Sequence, residues 1–345
     1  MKQNRKILGL LCLSMLLAAC SPQNTKTEEE KLTVVSSFYP VYLLAQEVME
    51  DVNGVQLLNM AQPQTGCLHD YELTIADMKI LEQADMLIIN GGGMEGFLAQ
   101  ALERYPELEI VDTSHGIELL ETGAHHHHAH EEEAEEIDPH AGHDHDEEAE
   151  EIDPHAGHDH DEEMEEIDPH AGHDHEGNPH IWLSPERAAM QTEAIAHALG
   201  ERLPQEAERF HKNAEDFHEE MHALQEQAEE IALSEEQYAA VFHEGFGYLA
   251  ELFHMEPAVE LFADEYQIPS ARELAEAAEE AEAHDIRFYL TAADNGQKYA
   301  QVLAAERGEA VIVLDPLTMK DENGLSYTER MRNNIEAIEK YEKQK

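Results

Sequence analysis

Positive charge is scarce in this chain: 21 lysines and arginines stand against 76 aspartates and glutamates, a formal net charge of -55 over 345 residues. Without a basic patch to neutralise phosphates, nucleic acid is excluded as a partner. A negative field of this size instead concentrates cations near the surface, weakly and subject to salt screening. Long apolar runs are also missing. After residue 31 no run approaches the roughly 20 residues that span a bilayer, so the mature chain is not expected to cross one. Cysteine is nearly absent, with Cys12, Cys20 and Cys67 the only three.

What stands at the start is a basic cluster (Lys2, Arg5, Lys6) followed by an apolar run over 7–19. That pattern predicts a secretory signal over 1–19 and not a spanning helix. It ends in Leu17-Ala18-Ala19-Cys20. Small residues before a cysteine resemble the lipobox of bacterial lipoproteins, which makes Cys20 the expected lipidation site. Acyl chains there would hold the protein extracytoplasmically, on the outer face of a membrane, with 20–31 as a polar tether. Cys12 then leaves with the signal and Cys20 carries lipid, so Cys67 has no disulfide partner within the chain.

Residues 125–179 form a segment unlike the rest. It opens with His125, His126, His127, His128 and His130, then repeats a fifteen-residue unit three times, EEAEEIDPHAGHDHD at Glu132 and Glu147 and EEMEEIDPHAGHDHE at Glu162. The repeats carry too little apolar surface to offset the entropy of ordering a backbone, and read as a mobile loop. Each unit offers three imidazoles: His140, His143 and His145, then His155, His158 and His160, then His170, His173 and His175. Imidazole is the commonest ligand for borderline-soft divalent metals, so the loop is expected to act as an auxiliary metal collector. An acidic linker with incidental histidines would not need a repeated H-x-x-H-x-H.

On either side of this loop the hydrophobic pattern alternates. Strand patterns at 32–35, 54–58, 84–90 and 109–112 are separated by helical patterns at 39–48, 77–81 and 94–104. From Pro185 to Ala232 the chain is rich in Ala, Glu, Gln and Leu, broken only at Pro204, and reads as a stiff helical strut. Alternation then resumes, with strands at 238–242, 259–262, 286–290 and 310–314 and helices at 247–253, 270–283, 296–306 and 327–340. The expected fold class is α/β: a parallel-sheet lobe over 32–124, a linking helix over 180–235 and a second lobe over 236–345. Two lobes joined by a rigid helix leave a cleft, and ligands bind at the carboxyl ends of such strands.

Three histidines stand apart by context. His69 follows a strand of the first lobe, His180 ends the loop, and His243 ends a strand of the second lobe. His197, His211, His218 and His222 lie on the strut, where a solvated helix face explains them.

These features together resemble the metal-binding lipoproteins that serve as substrate-binding components of ABC importers, in particular the high-affinity zinc-binding type. The resemblance rests on Cys20, His69-Asp70-Tyr71-Glu72, Asn90-Gly91-Gly92-Gly93-Met94-Glu95, Asn178-Pro179-His180-Ile181-Trp182-Leu183, Phe242-His243-Glu244 and Val313-Leu314-Asp315-Pro316-Leu317, in the family's order over nearly the whole mature chain. It implies two α/β lobes bridged by one long helix with a metal between them, ligands at His69, His180 and His243, and a fourth position that varies. It implies partnership with an ABC permease and its ATPase, a monomer, and no enzymatic activity. For the fourth ligand Asp315 matches the position where manganese-binding relatives place a carboxylate; water comes close behind, and Cys67 is a further option through its C-x-H spacing. The chain departs from the family at residues 288–294, where an acidic residue commonly follows the strand.

Ligand chemistry favours Zn2+ on separate grounds. Three neutral imidazoles with one oxygen suit a tetrahedral ion, whereas manganese prefers more oxygens and six ligands. The alternatives are a manganese-binding member of the same family and a surface adhesin or metal buffer. A zinc hydrolase would need a general base as well, for which Glu244 is the nearest candidate.

Overall fold

Leu32–Ser36 (β1) is buried along nearly its whole length, as a strand covered on both faces must be. It lies at the interior of a parallel sheet with Val55–Asn59 (β2), Met86–Ile89 (β3) and Glu109–Asp112 (β4), in the order β2-β1-β3-β4. Gln237–Val241 (β5), Met255–Glu260 (β6), Phe288–Thr291 (β7) and Val311–Val313 (β8) repeat that order as β6-β5-β7-β8, again all parallel. The computed structural model describes residues 31–62, 71–121, 177–231, 237–262, 268–294 and 296–343. In each sheet the chain first moves to one side and then crosses back, so the strand order reverses between β1 and β3 and between β5 and β7. Crevices at the carboxyl ends of strands flanking such a reversal are where α/β folds bind ligands.

Helices follow the expected alternation: Tyr39–Val48 (α1), Ile75–Leu81 (α2) and Ala99–Leu102 (α3) in the first lobe, and Phe246–Leu252 (α6), Ala271–Ala283 (α7), Gly296–Arg307 (α8) and Tyr327–Lys343 (α9) in the second. α2 starts at a capping box, with Thr74 Oγ1 accepting the Asp77 N–H and Asp77 accepting the Thr74 N–H. Two elements differ from the sequence reading. The helix expected over 94–104 shrinks to a 3₁₀ turn and the single turn of α3, because Gly91, Gly92 and Gly93 all take positive φ and Glu95 folds its carboxylate back onto Asn90 and Gly91. β6 begins four residues earlier than 259; Pro257 falls inside it, which an edge strand tolerates.

Between the lobes, the helical bridge is two helices instead of one. Ser184 and Pro185 start Pro185–Arg202 (α4), Pro204 stops it, and Ala207–Ile231 (α5) folds back along it as an αα-hairpin. Gly200 permits the close crossing, since a Cβ there would meet the Ala207 Cβ at 3.3 Å. α5 buries Phe210, Ala214, Phe217, Met221, Leu224 and Ala228, a single stripe at spacings of three to four. Spanning about 37 Å at 1.5 Å per residue, it packs on α1 of the first lobe and on α6 and α9 of the second. One apolar core therefore runs from Val34 and Leu44 through Phe210 and Phe217 to Val241 and Phe288. A continuous apolar interface of this kind opposes free swinging of the lobes.

Glu47, on α1 beneath this bridge, has its carboxyl pushed up to about 7 by burial first and by Glu220 next. Its folded value exceeds the unfolded value of 4.5, so the native state holds the extra proton between those limits. Stability from this group is then highest below pH 4.5 and declines as pH rises to about 7. Glu47→Gln is expected to remove that decline and raise stability at pH 8 by up to about 3 kcal/mol, measured by denaturant unfolding at pH 5 and pH 8.

Candidate metal centre

β5 ends at Val241, and Phe242-His243-Glu244-Gly245 turns the chain into α6. This places His243 at the carboxyl end of the strand beside the second lobe's reversal. Its ring rests against Phe246, 4.9 Å between centroids, and 9% of the residue is exposed. The Gly245 N–H donates to Nδ1 at 3.1 Å. A neutral His243 ring in that contact carries its proton on Nε2, so taking a cation requires either that Nε2 give up its proton or that Nδ1 exchange the Gly245 N–H for the ion.

His180 approaches from the segment entering α4, and is 1% exposed. Behind it, Trp182 is fully buried, edge-on to Phe38, and donates through Nε1 to the Pro316 carbonyl at 2.9 Å. Tyr327 Oη donates to the Trp182 carbonyl. The rings of His180 and Trp182 lie 4.9 Å apart, so a wall of packed aromatics fixes the histidine from one side.

The two imidazoles meet. Their centroids are 5.3 Å apart with planes at 75°. Two imidazoles sharing one tetrahedral zinc through nitrogens at about 2.0–2.1 Å would have ring centres about 5.2 Å apart, so the spacing fits a shared ion.

Both lobes hold the peptide that carries His180. From the second lobe, the Glu244 carbonyl accepts from the Asn178 side chain at 2.8 Å, while Asn178 Oδ1 receives the His180 N–H at 3.0 Å and faces Nδ1 at 2.9 Å. From the first, Asn90 at the end of β3 donates to the Pro179 carbonyl at 2.9 Å. Asn90 is itself braced by Gln191, which donates to its Oδ1 at 3.1 Å. The loop after Asn90 is closed by Glu95, buried and accepting from Ser37 Oγ, the Asn90 N–H and the Gly91 N–H. Desolvation raises the Glu95 carboxyl to about 7 even though those three donors pull it down. Glu244 adds a carboxylate 3.8 Å from His180 Nδ1, at the outer side of the pair.

His69 and Cys67 fall within 63–70, the repeat histidines within 122–176, and Cys20 within 1–30, all outside the described residues. Among the described residues no three His, Cys, Asp or Glu side chains converge on a metal-sized site. Asp315, expected as a fourth ligand, has both oxygens engaged by Arg330, Nε to Oδ2 and Nη2 to Oδ1 at 2.7 Å each, and Oδ1 also accepts the Leu317 N–H. That pairing weighs against Asp315 as a ligand. On the bridge, His197, His218 and His222 are 70%, 54% and 63% exposed beside glutamates, as a solvated face requires. A depression of about 860 Å³ lies between α1, β2 and 320–326, and no histidine lines it. A single ion held by buried side chains needs no such volume.

A family model described as zinc-uptake complex component A, periplasmic, matches residues 34–341. The chain belongs to this family. The zinc-uptake component A family is one of substrate-binding transport proteins and not of enzymes. Its relatives include the zinc-binding lipoprotein AdcA of Streptococcus pneumoniae, 28% identical over 98% of this chain and 60% of the relative. The high-affinity zinc uptake system protein ZnuA of Bacillus subtilis is 28% identical over 94% of this chain and 93% of its own. This chain thus spans about three-fifths of the pneumococcal protein and nearly all of the Bacillus one. Among solved structures, the substrate-binding protein FpvC of Pseudomonas aeruginosa with Ni2+ superposes with a TM-score of 0.68 at 17% identity, covering 91% of this chain and 97% of that one. At that identity the likeness concerns the fold, which is the two-lobed α/β architecture described above.

The two asparagines that hold the His180 peptide had no assigned role in the sequence reading, although both lie in motifs that carried the resemblance. For Asn178 the signal was the Asn-Pro-His tripeptide, where proline removes one backbone donor and leaves the carbonyl that Asn90 grips.

Proposed function

We propose that this protein is the extracytoplasmic substrate-binding component of an ABC importer, capturing Zn2+ in the cleft and delivering it to a permease driven by its ATPase. The observation that carries the reading is the meeting of His180 and His243, two buried imidazoles from distant elements, at a spacing that suits one shared ion. His69 supplies the third nitrogen in this reading. Water or Cys67 takes the fourth place, since Asp315 would have to give up Arg330 to join. Neutral imidazoles favour zinc over manganese, and the names of relatives point the same way. The histidines from His125 to His175 collect zinc in weak, fast-exchanging complexes and raise its concentration beside His180. Lipid on Cys20 would keep the monomer at the outer membrane face, next to its permease.

Metal content after chelator-free purification, followed by competitive titration, tests this. A protein lacking 125–176 is expected to hold one zinc per chain with the cleft affinity of the full protein. His69→Ala, His180→Ala and His243→Ala should each weaken it by about a hundredfold or more, beyond the effect of losing an outer hydrogen bond. Wild-type affinity in His180→Ala and His243→Ala would overturn the proposal, and a preference for manganese in the intact protein would overturn its choice of metal.

A further inference from the structure

Asn178 makes more contacts than a linker residue needs. Its N–H donates to the Leu120 carbonyl at 2.7 Å and its carbonyl accepts from Tyr248 Oη at 2.6 Å, so the backbone is fixed on both sides where the chain returns to the first lobe. Its side chain is equally committed, with Nδ2 on the Glu244 carbonyl and Oδ1 toward both the His180 N–H and Nδ1. The amide has only one acceptable orientation. Turning it over would set its NH2 against the His180 N–H and its oxygen against the Glu244 carbonyl, losing two hydrogen bonds in a residue only 5% exposed.

An oxygen fixed against Nδ1 demands a proton there. We infer that Asn178 is a positioning residue that locks His180 in the Nδ1–H tautomer and thereby dedicates the Nε2 lone pair to the incoming cation, an inference that rests on reading the cleft as the metal site. Neutral imidazole in water prefers the opposite tautomer, with its proton on Nε2, so an unassisted His180 would present a donor where the ion needs a lone pair. The same asparagine joins His180 to the turn bearing His243 through Glu244, so one side chain sets both the electronic state of one imidazole and its distance from the other. His243 lacks such an arrangement, because its Nδ1 accepts from Gly245. The two histidines are therefore unequal: His180 is preset for the ion, and His243 adapts to it.

Nitrogen NMR on the full chain, labelled with 15N-histidine and stripped of metal, reads the tautomer without metal binding. The His180 signals are identified by their loss in His180→Ala. In the wild type His180 is expected to show a protonated Nδ1 and an unprotonated Nε2. Asn178→Ala should shift the proton toward Nε2 and weaken zinc binding by about 10–100-fold, whereas Asn178→Asp, which keeps an acceptor at Nδ1, should retain the wild-type tautomer. A wild-type His180 protonated at Nε2, or an unchanged tautomer in a folded Asn178→Ala protein, would overturn the inference. Unchanged zinc affinity in His180→Ala would instead overturn the metal-site reading, whichever tautomer is found.

Discussion

Alanine in place of Gly245 is expected to lower metal affinity by about 10–100-fold, the scale of losing a ligand's support, although it removes no ligand. Gly245 has φ -61 and ψ -20, helical values that alanine adopts without strain, so any effect must come from the methyl itself. A Cβ built there lies 2.5 Å from Leu183 Cδ1, 2.9 Å from His180 Cβ and 3.0 Å from His180 Cδ2. Leu183 is fully buried beside the aromatic wall, and the 2.9 Å approach to His180 Cβ is too short to keep. His180 must therefore shift, and the donor geometry of the pair shifts with it. Overpacking of this kind also costs about 1–3 kcal/mol of stability, so affinity should be compared at a temperature where both proteins are folded. Gly247→Ala supplies the control. Its Cβ would meet Asn178 Nδ2 at 3.7 Å and Leu120 Cδ1 at 3.8 Å, ordinary contact distances, and its affinity should stay within about twofold, far below the loss that follows displaced ligand support. Competitive titration of both variants decides the matter: equal affinity in Gly245→Ala and wild type would mean that His180 does not hold the ion.

The alternation of apolar runs made both sheets legible, because strands buried on two faces leave a signature in sequence that needs no knowledge of partners. β1, β3 and β7 were visible for this reason. Boundaries failed where a side chain or a break acted locally: Glu95 folding back ended the helix expected over 94–104, and Pro204 turned one strut into a hairpin. His180 and His243 could be singled out because they sit at loop and strand ends instead of on solvated helix faces. Their supports could not. Asn178 is held in its one orientation by the Glu244 carbonyl, and Gly245 acts through the space it leaves for His180, and neither relation exists until distant segments meet. Asp315 shows the converse. An aspartate after a strand looks the same in sequence whether it binds a cation from outside or an arginine from within the fold.

Asp315→Ala separates those two roles. The Arg330 side chain is only 3% exposed, and its Nε and Nη2 are both spent on Asp315 while Nη1 finds no partner among the described residues. Removing the carboxylate, itself 39% exposed, strands a guanidinium at the edge of solvent, at a cost of about 1–3 kcal/mol, below that of a fully buried pair. It also frees the Leu317 N–H, which Asp315 holds while Leu317 takes a positive φ of 61°. The structural role therefore predicts a large loss of stability in denaturant unfolding with zinc affinity within about threefold of wild type, well short of the loss from a missing ligand or ligand support. A ligand role predicts the reverse, with affinity falling about a hundredfold or more and stability of the metal-free protein little changed. The double variant Asp315→Ala with Arg330→Met sharpens the test, because removing the stranded charge should restore most of the lost stability if the pair alone accounts for it. Such recovery, with unchanged affinity throughout, would leave the fourth coordination place to water or to Cys67 and make the Asp315–Arg330 pair the fastening that joins the loop after β8 to α9 behind Trp182.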